Sequence, residues 1–167
     1  EISLNEQGDK LNIVEGDIVL DKINFAYKSN PENKVLKDMS LKFTGGKMTA
    51  LVGHSGSGKS TLLNMIPRIY LPTSGNIYFD NQDISKVNLA SLRNQISIVD
   101  QNTTLFDDTV LNNIKYARPD ADKEDIIEAA KLSMSDEFIN YLENGYETMI
   151  GENGVKLSGG EKQRLSI

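Results

Sequence analysis

Eight consecutive residues, Gly53-His54-Ser55-Gly56-Ser57-Gly58-Lys59-Ser60, carry the densest chemistry in the chain, and Thr61 follows them. They satisfy the phosphate-binding pattern G-x-x-x-x-G-K-[ST] at every fixed position. Glycines let the backbone curl until successive N–H groups point at one phosphate group, and the start of a following helix adds its positive end. Lys59 contributes a full positive charge and Ser60 a hydroxyl for Mg²⁺. Gly53, Ser55, Gly56, Ser57, Gly58, Lys59, Ser60 and Thr61 are therefore candidate contacts to a nucleoside triphosphate, with Ser60 also a candidate metal ligand. His54, the only histidine, occupies a variable position of the pattern and is read as a tolerated side chain.

Such a loop needs a strand before it and a helix after it. The short apolar segment Lys47-Met48-Thr49-Ala50-Leu51-Val52 follows Gly45-Gly46 and predicts the strand; Thr61 to Ile66 predicts the helix, which must end near Pro67. Upstream, Ile18, Leu20, Ile23, Phe25 and Tyr27 alternate with polar residues around an Asp21-Lys22 turn. Met39, Leu41 and Phe43 alternate likewise, so antiparallel strands flank a polar loop at 28–34. Downstream, 75–84 predicts a strand and turn, 89–93 a short helix and Ile96 to Val99 a buried strand. Beyond Gln101 the pattern turns helical. Asp122-Lys123-Glu124-Asp125 caps a helix with the apolar stripe Ile126, Ile127, Ala130 and Met134, and Phe138, Ile139 and Leu142 continue in another.

Composition narrows the classes further. In 167 residues the net charge is −6 and no long Lys/Arg run occurs, which argues against a nucleic-acid partner. Cysteine is absent, excluding disulfide scaffolds and cysteine-based zinc sites. No apolar run approaches the ~18–20 residues that cross a bilayer, and Glu1-Ile2-Ser3-Leu4 does not begin a signal peptide, so the chain as given is expected to be soluble. It opens on Glu1, and its last predicted helix lacks a stop signal, so a piece of a longer polypeptide is expected.

A second string, Leu157-Ser158-Gly159-Gly160-Glu161-Lys162-Gln163-Arg164, stands well downstream of the phosphate loop. Together the two resemble the nucleotide-binding domain of ABC transporters, whose signature is LSGGQ followed by x-Q-R. From about Gly16 to Ile167 the chain looks closest to the exporter branch of lipid and multidrug flippases. The resemblance implies an α/β fold: a P-loop NTPase, ABC-ATPase core with an antiparallel β subdomain and a helical signature subdomain, the C-terminal part of the core missing. It implies residues 1–15 as a linker from an upstream membrane domain, 16–101 as the ATP-binding core and 102–167 as the helical subdomain.

The same resemblance assigns roles. Tyr27 stands where an aromatic residue stacks on adenine, although an aromatic in a strand is by itself an ordinary core residue; Val35 would touch the nucleoside, and a buried β-branched residue explains it nearly as well. Ile98-Val99-Asp100-Gln101 resembles the Q-loop, whose Gln101 reaches Mg²⁺ and the attacking water. Lys59 and Gln101 are thus the candidate catalytic residues, with Ser60 and Gln101 at the metal. Leu157, Ser158, Gly159, Gly160 and Glu161 would serve the ATP of a second nucleotide-binding domain, in a homo- or heterodimer. Thr148-Met149-Ile150-Gly151-Glu152-Asn153-Gly154 resembles the X-loop T-E-V-G-E-R-G, so 148–154 and the Q-loop would meet the coupling helices of the membrane domain. ATP and Mg²⁺ are the implied cofactors, nucleic acid is not a partner, and the cytoplasmic face of a membrane, the bacterial inner membrane, is the implied location.

Hydrolysis in this family needs an aspartate and a glutamate ending one apolar strand. Ile18 to Asp21, Ile77 to Asp80 and Ile98 to Asp100 each end in Asp, but none has Glu next. The pair and the switch histidine are expected beyond Ile167, and the fragment alone is expected to be inactive. Two other classes stay open: a soluble ABC ATPase of DNA repair, chromosome organisation or translation, and a P-loop kinase acting on a small acceptor. Against the first stand the missing cysteines and the absence of heptads between Gln101 and Ser158; the second requires the signature string to be coincidence.

Overall fold

The computed structural model describes residues 8–100 and 103–167. They form two compact units, Glu1–Ser97 and Ile98–Ile167. Gln101, the candidate Q-loop glutamine, and residues 1–7 of the expected linker at 1–15 lie outside the described residues.

The first unit is built on an antiparallel sheet of order β2-β1-β3-β4, with β1 Ile18–Ala26, β2 Lys34–Phe43, β3 Ser74–Phe79 and β4 Gln82–Asp83. Asp21-Lys22 was expected as a turn. Instead β1 runs through it as a bulge: Lys22 has φ 50, and the pairing register with β2 shifts between Leu20 and Ile23. The extra residue lets Leu20 and Ile23, three apart, both point inward, at 1% and 0% exposure. They meet Leu36, Ile77 and Phe79 from the sheet and Leu62 and Met65 from helix α1, Lys59–Met65. Helix α2, Leu89–Arg93, is capped by Asn88, whose side chain accepts from the Ser91 N–H, and it seals the core with Leu92.

Neither apolar stretch expected as a further strand forms one. No strand is assigned over 48–52 or 96–99; Met48 is 101% and Val52 90% exposed, while Ile98 and Val99 are also exposed. A strand exists only through its ladder, and among the described residues no strand pairs with either stretch.

The β3–β4 turn holds an unanticipated clamp. Asp80 accepts backbone N–H groups from Val14 (2.7 Å), Glu15 (3.1 Å), Gly16 (3.0 Å) and Asp17 (2.8 Å). Asp17 in turn pairs with Lys42 at 2.5 Å and accepts from the Gly45 N–H. The N–H groups of Gly16 and Val14 above all hold the Asp80 carboxyl below the ordinary carboxylate range, as Lys42 and the Gly45 N–H do for Asp17. A depressed carboxylate stabilises the fold above its unfolded pKa of about 3.9, and that contribution is lost as pH falls through the folded value. Asp80→Asn is therefore expected to lower the denaturant midpoint at pH 7 and to flatten its decline from pH 5 to pH 3. A midpoint and slope unchanged from wild type would show that the clamp contributes nothing.

The second unit is helical: α3 Val110–Lys115, α4 Lys123–Leu132, α5 Asp136–Ile139 and α6 Gly159–Leu165. Thr109 and Asp122 cap α3 and α4 by accepting the Asn112 and Asp125 N–H groups, the latter as expected. Ile126 and Ala130 face inward, but Met134 does not belong to the stripe. The helix ends first, and Met134 takes a left-handed φ of 58 with 61% exposure. The core joins Val110, Ala130, Phe138, Ile139, Ile150, Leu157 and Leu165, with the Arg164 guanidinium 5.4 Å from the Phe138 ring centroid. Among the described residues no helix is long and apolar enough to cross a membrane.

Candidate nucleotide site

The loop at 53–60 is shaped by positive backbone angles that its glycines supply. Gly58, with φ 87, is the residue from which α1 starts, and its carbonyl accepts the Leu62 N–H at 2.9 Å. A Cβ there would stand 2.7 Å from Leu36 Cδ2 and 3.3 Å from Val35 Cγ1, so both the angle and the close approach of β2 demand glycine. Gly56 has φ 79 in open space, where the angle alone favours glycine.

Lys59 folds back over the loop. Its ammonium donates to the carbonyls of Gly53 and His54, each at 2.8 Å, and to Ser57 Oγ at 3.3 Å. This places a cation at the mouth of the backbone curl. Ser55 and Ser60 are exposed, Ser57 is half-buried, and the Ser57 N–H closes the turn onto the His54 carbonyl at 3.3 Å. Val35 borders the loop, its Cγ1 3.3 Å from where a Cβ on Gly58 would stand.

Tyr27, the residue after β1, is 36% exposed. Its ring meets Phe25 at 5.0 Å and Tyr70 at 5.5 Å, both nearly perpendicular. Its hydroxyl lies 2.7 Å from Thr61 Oγ1, and Thr61 is itself buried. The aromatic residue and the phosphate loop are thereby joined by one hydrogen bond. Tyr70 gave no signal in sequence, since nothing in its spacing from Tyr27 suggests contact.

In the second unit, Ser158 caps α6 in a full capping box. Its hydroxyl accepts the Glu161 N–H at 3.3 Å, while Glu161 Oε2 accepts the Ser158 N–H at 2.7 Å. The Ser158 side chain, then its N–H, hold the Glu161 carboxyl below the ordinary range. Leu157 is buried as the anchor of the motif. Gly159 and Gly160 are exposed, and a Cβ on either would meet nothing within 4 Å. Nothing within the unit explains why these two are glycine. The stretch 148–154 is tied to the start of α3, the Val110 N–H donating to the Thr148 carbonyl at 3.0 Å and the Ile150 N–H to that of Asp108 at 3.2 Å.

Could the residues in hand accept the groups implied? The cradle at Gly58 and the ammonium of Lys59 suit a triphosphate. Mg²⁺ on a nucleotide typically takes one or two protein oxygens beside phosphate and water, which the exposed Ser60 hydroxyl can supply. Among the described residues no group of three or more His, Cys, Asp or Glu could hold a metal without the nucleotide.

Comparison with known proteins identifies the family. The chain is 50% identical over 157 residues to the "Putative multidrug export ATP-binding/permease protein" of Staphylococcus aureus (strain NCTC 8325 / PS 47), covering 94% of this chain and 27% of that protein. It is 49% identical over 154 residues to the ATP-dependent lipid A-core flippase of Legionella pneumophila (strain Paris), covering 92% of this chain and 26% of that one. It thus spans about a quarter of the length of these curated relatives. A bacterial Atm1-family ABC exporter, solved with ATP bound, superimposes with a TM-score of 0.90 at 39% identity, over 96% of this chain and 28% of that chain. The profile of the ABC transporter family matches residues 36–167. With a phosphate loop, a capped signature helix and this degree of identity, the chain belongs to the ABC transporter family and carries its P-loop ATPase fold.

Proposed function

We propose that the chain is the ATP-binding motor of an exporter, converting MgATP binding and hydrolysis into movement of a substrate across a membrane. The observation that carries the reading is the pairing of two unlike sites: a glycine cradle with its own lysine, and a helix start whose glycines touch nothing in their own unit. In this reading residues 16–101 hold the nucleotide and residues 102–167 present the signature. Gly53 to Thr61 wrap the phosphates with Lys59 on their charge, and Tyr27 and Val35 border the nucleoside. Ser60 and Gln101 would hold Mg²⁺, which when bound neutralises phosphate charge. Gln101 would also orient the attacking water.

Leu157 to Glu161 would complete the ATP site of a second nucleotide-binding domain. Residues 148–154, pinned to α3, would meet coupling helices of a membrane domain, placing the motor on the cytoplasmic side of that membrane. The export and flippase names of the relatives support this direction of transport. The test is MgATP binding and hydrolysis by the complete protein in lipid vesicles, wild type against Lys59→Ala. Binding and turnover that both depend on Lys59 support the reading; the absence of either in wild type overturns it.

A further inference from the structure

We infer that Tyr70 is a positioning residue for the nucleotide base, acting through Tyr27. The inference rests on Tyr27 being the adenine platform and extends that reading to a residue outside the binding machinery. Tyr27 directly follows the last residue of β1 with 36% of its surface exposed, where an isolated ring would swing about χ1 and χ2. Three contacts prevent this. Phe25 meets the ring at 5.0 Å with 81° between planes, and Tyr70 meets it at 5.5 Å with 88°. The Tyr27 hydroxyl bonds to Thr61 Oγ1 at 2.7 Å.

Phe25 is fixed by the sheet core, at 6% exposure. Tyr70 follows α1, touches Phe25 as well at 5.5 Å, and closes a three-ring cluster from the side of the helix that bears the phosphate loop. The Ile69 and Tyr70 N–H groups both donate to the Asn64 carbonyl, at 2.9 and 3.2 Å, so the turn that carries Tyr70 is bonded back onto α1. The helix therefore reaches Tyr27 twice, through Thr61 at its first turn and through Tyr70 beyond its last. A base that stacks on Tyr27 meets a ring already held at a fixed angle to the phosphate loop, so the ordering cost of that ring is met before binding.

The ring contacts, not the Tyr70 hydroxyl, carry the effect, so Tyr70→Phe should behave as wild type. Tyr70→Leu keeps apolar volume but removes the ring. In the complete protein with Mg²⁺, calorimetry is expected to show ATP binding weakened roughly two- to tenfold by Tyr70→Leu, the range of one aromatic pair. Inorganic tripolyphosphate, which has no base, should bind with unchanged affinity. Tyr27→Leu serves as the reference and should weaken ATP at least as much, again sparing tripolyphosphate.

If Tyr27→Leu weakens ATP and Tyr70→Leu does not, the role of Tyr70 is overturned while the platform stands. If Tyr70→Leu weakens tripolyphosphate as much as ATP, Tyr70 supports the phosphate loop in general and the inference fails. Failure of Tyr70→Phe to restore ATP affinity overturns it too. An ATP affinity untouched by Tyr27→Leu removes the platform, and this inference with it.

Discussion

Lys59→Ala is expected to weaken MgATP binding about ten- to hundredfold, the worth of a charge-assisted hydrogen bond of roughly 1.5–3 kcal/mol. The upper part of that range is favoured because Lys59 has two tasks. Its ammonium bonds the Gly53 and His54 carbonyls at 2.8 Å each, so it shapes the curl as well as attracting the phosphates. Alanine removes the charge and also leaves the Gly53 and His54 carbonyls without their shared donor. Lys59→Arg is not expected to restore affinity, since a planar guanidinium does not reproduce a compact ammonium among converging carbonyls. Thermal stability should change little, because the Lys59 ammonium bonds the loop atoms of Gly53, His54 and Ser57. Calorimetry with ATP decides the matter: wild-type affinity in Lys59→Ala would remove the phosphate-loop assignment.

Gly159→Asp should leave folding and ATP affinity of a single subunit near wild type while abolishing ATP-dependent association. Helix propensity makes glycine costly in α6 by about 1 kcal/mol relative to alanine. No neighbour lies within 4 Å of a Cβ at 159 or 160, so nothing inside the unit requires that cost. In the proposed reading the requirement comes from outside, from a backbone that another body would approach closely. A carboxylate there adds volume and a charge like that of a phosphate. Mixing one subunit that carries Lys59→Ala with one that carries Gly159→Asp puts both defects on one site of a two-site dimer. The other site is then made of intact halves, and partial ATP-dependent association should return, read by light scattering or analytical ultracentrifugation. If neither variant nor the mixture differs from wild type, residues 157–161 do not act on a partner's nucleotide.

What could be read from sequence was what is local. The phosphate loop and the signature depend on a few neighbouring residues: Gly56 and Gly58 take the positive backbone angles that favour glycine, and Ser158 caps its helix. The antiparallel strands were legible from alternation, but Asp21-Lys22 was misread, because a bulge and a turn share the same polar pair. The stretches 48–52 and 96–99 were misread for another reason: apolar patterning reports a wish to be covered, and only a neighbouring strand converts it to a ladder. Met134 fell outside its stripe because the helix stops two residues earlier, a matter of ±2 residues that periodicity does not resolve. Asp80 and Tyr70 were invisible for the plainest reason. Asp80 reaches back 63–66 positions to its partners, and no pattern within a window of a dozen residues encodes that.

The stretch 48–52, which joins no ladder, is also expected to mark two stages in the acquisition of structure. β1, β2 and β3 pair with one another and bury Leu20, Ile23 and Leu36, and of 48–52 only the half-buried Leu51 packs against that core. The hairpin contacts between β1 and β2 are close in sequence and so are reached early, while the segment leading into the phosphate loop still has no strand beside it. Amide hydrogen exchange reads this order directly: β1 amides are expected among the slowest, and those of 48–52 close to the rate of an unstructured chain. Equal protection in both would refute it. On this ordering Tyr27, which follows β1, is rigid first, and the segment leading into the glycine loop is the last part of its unit to harden.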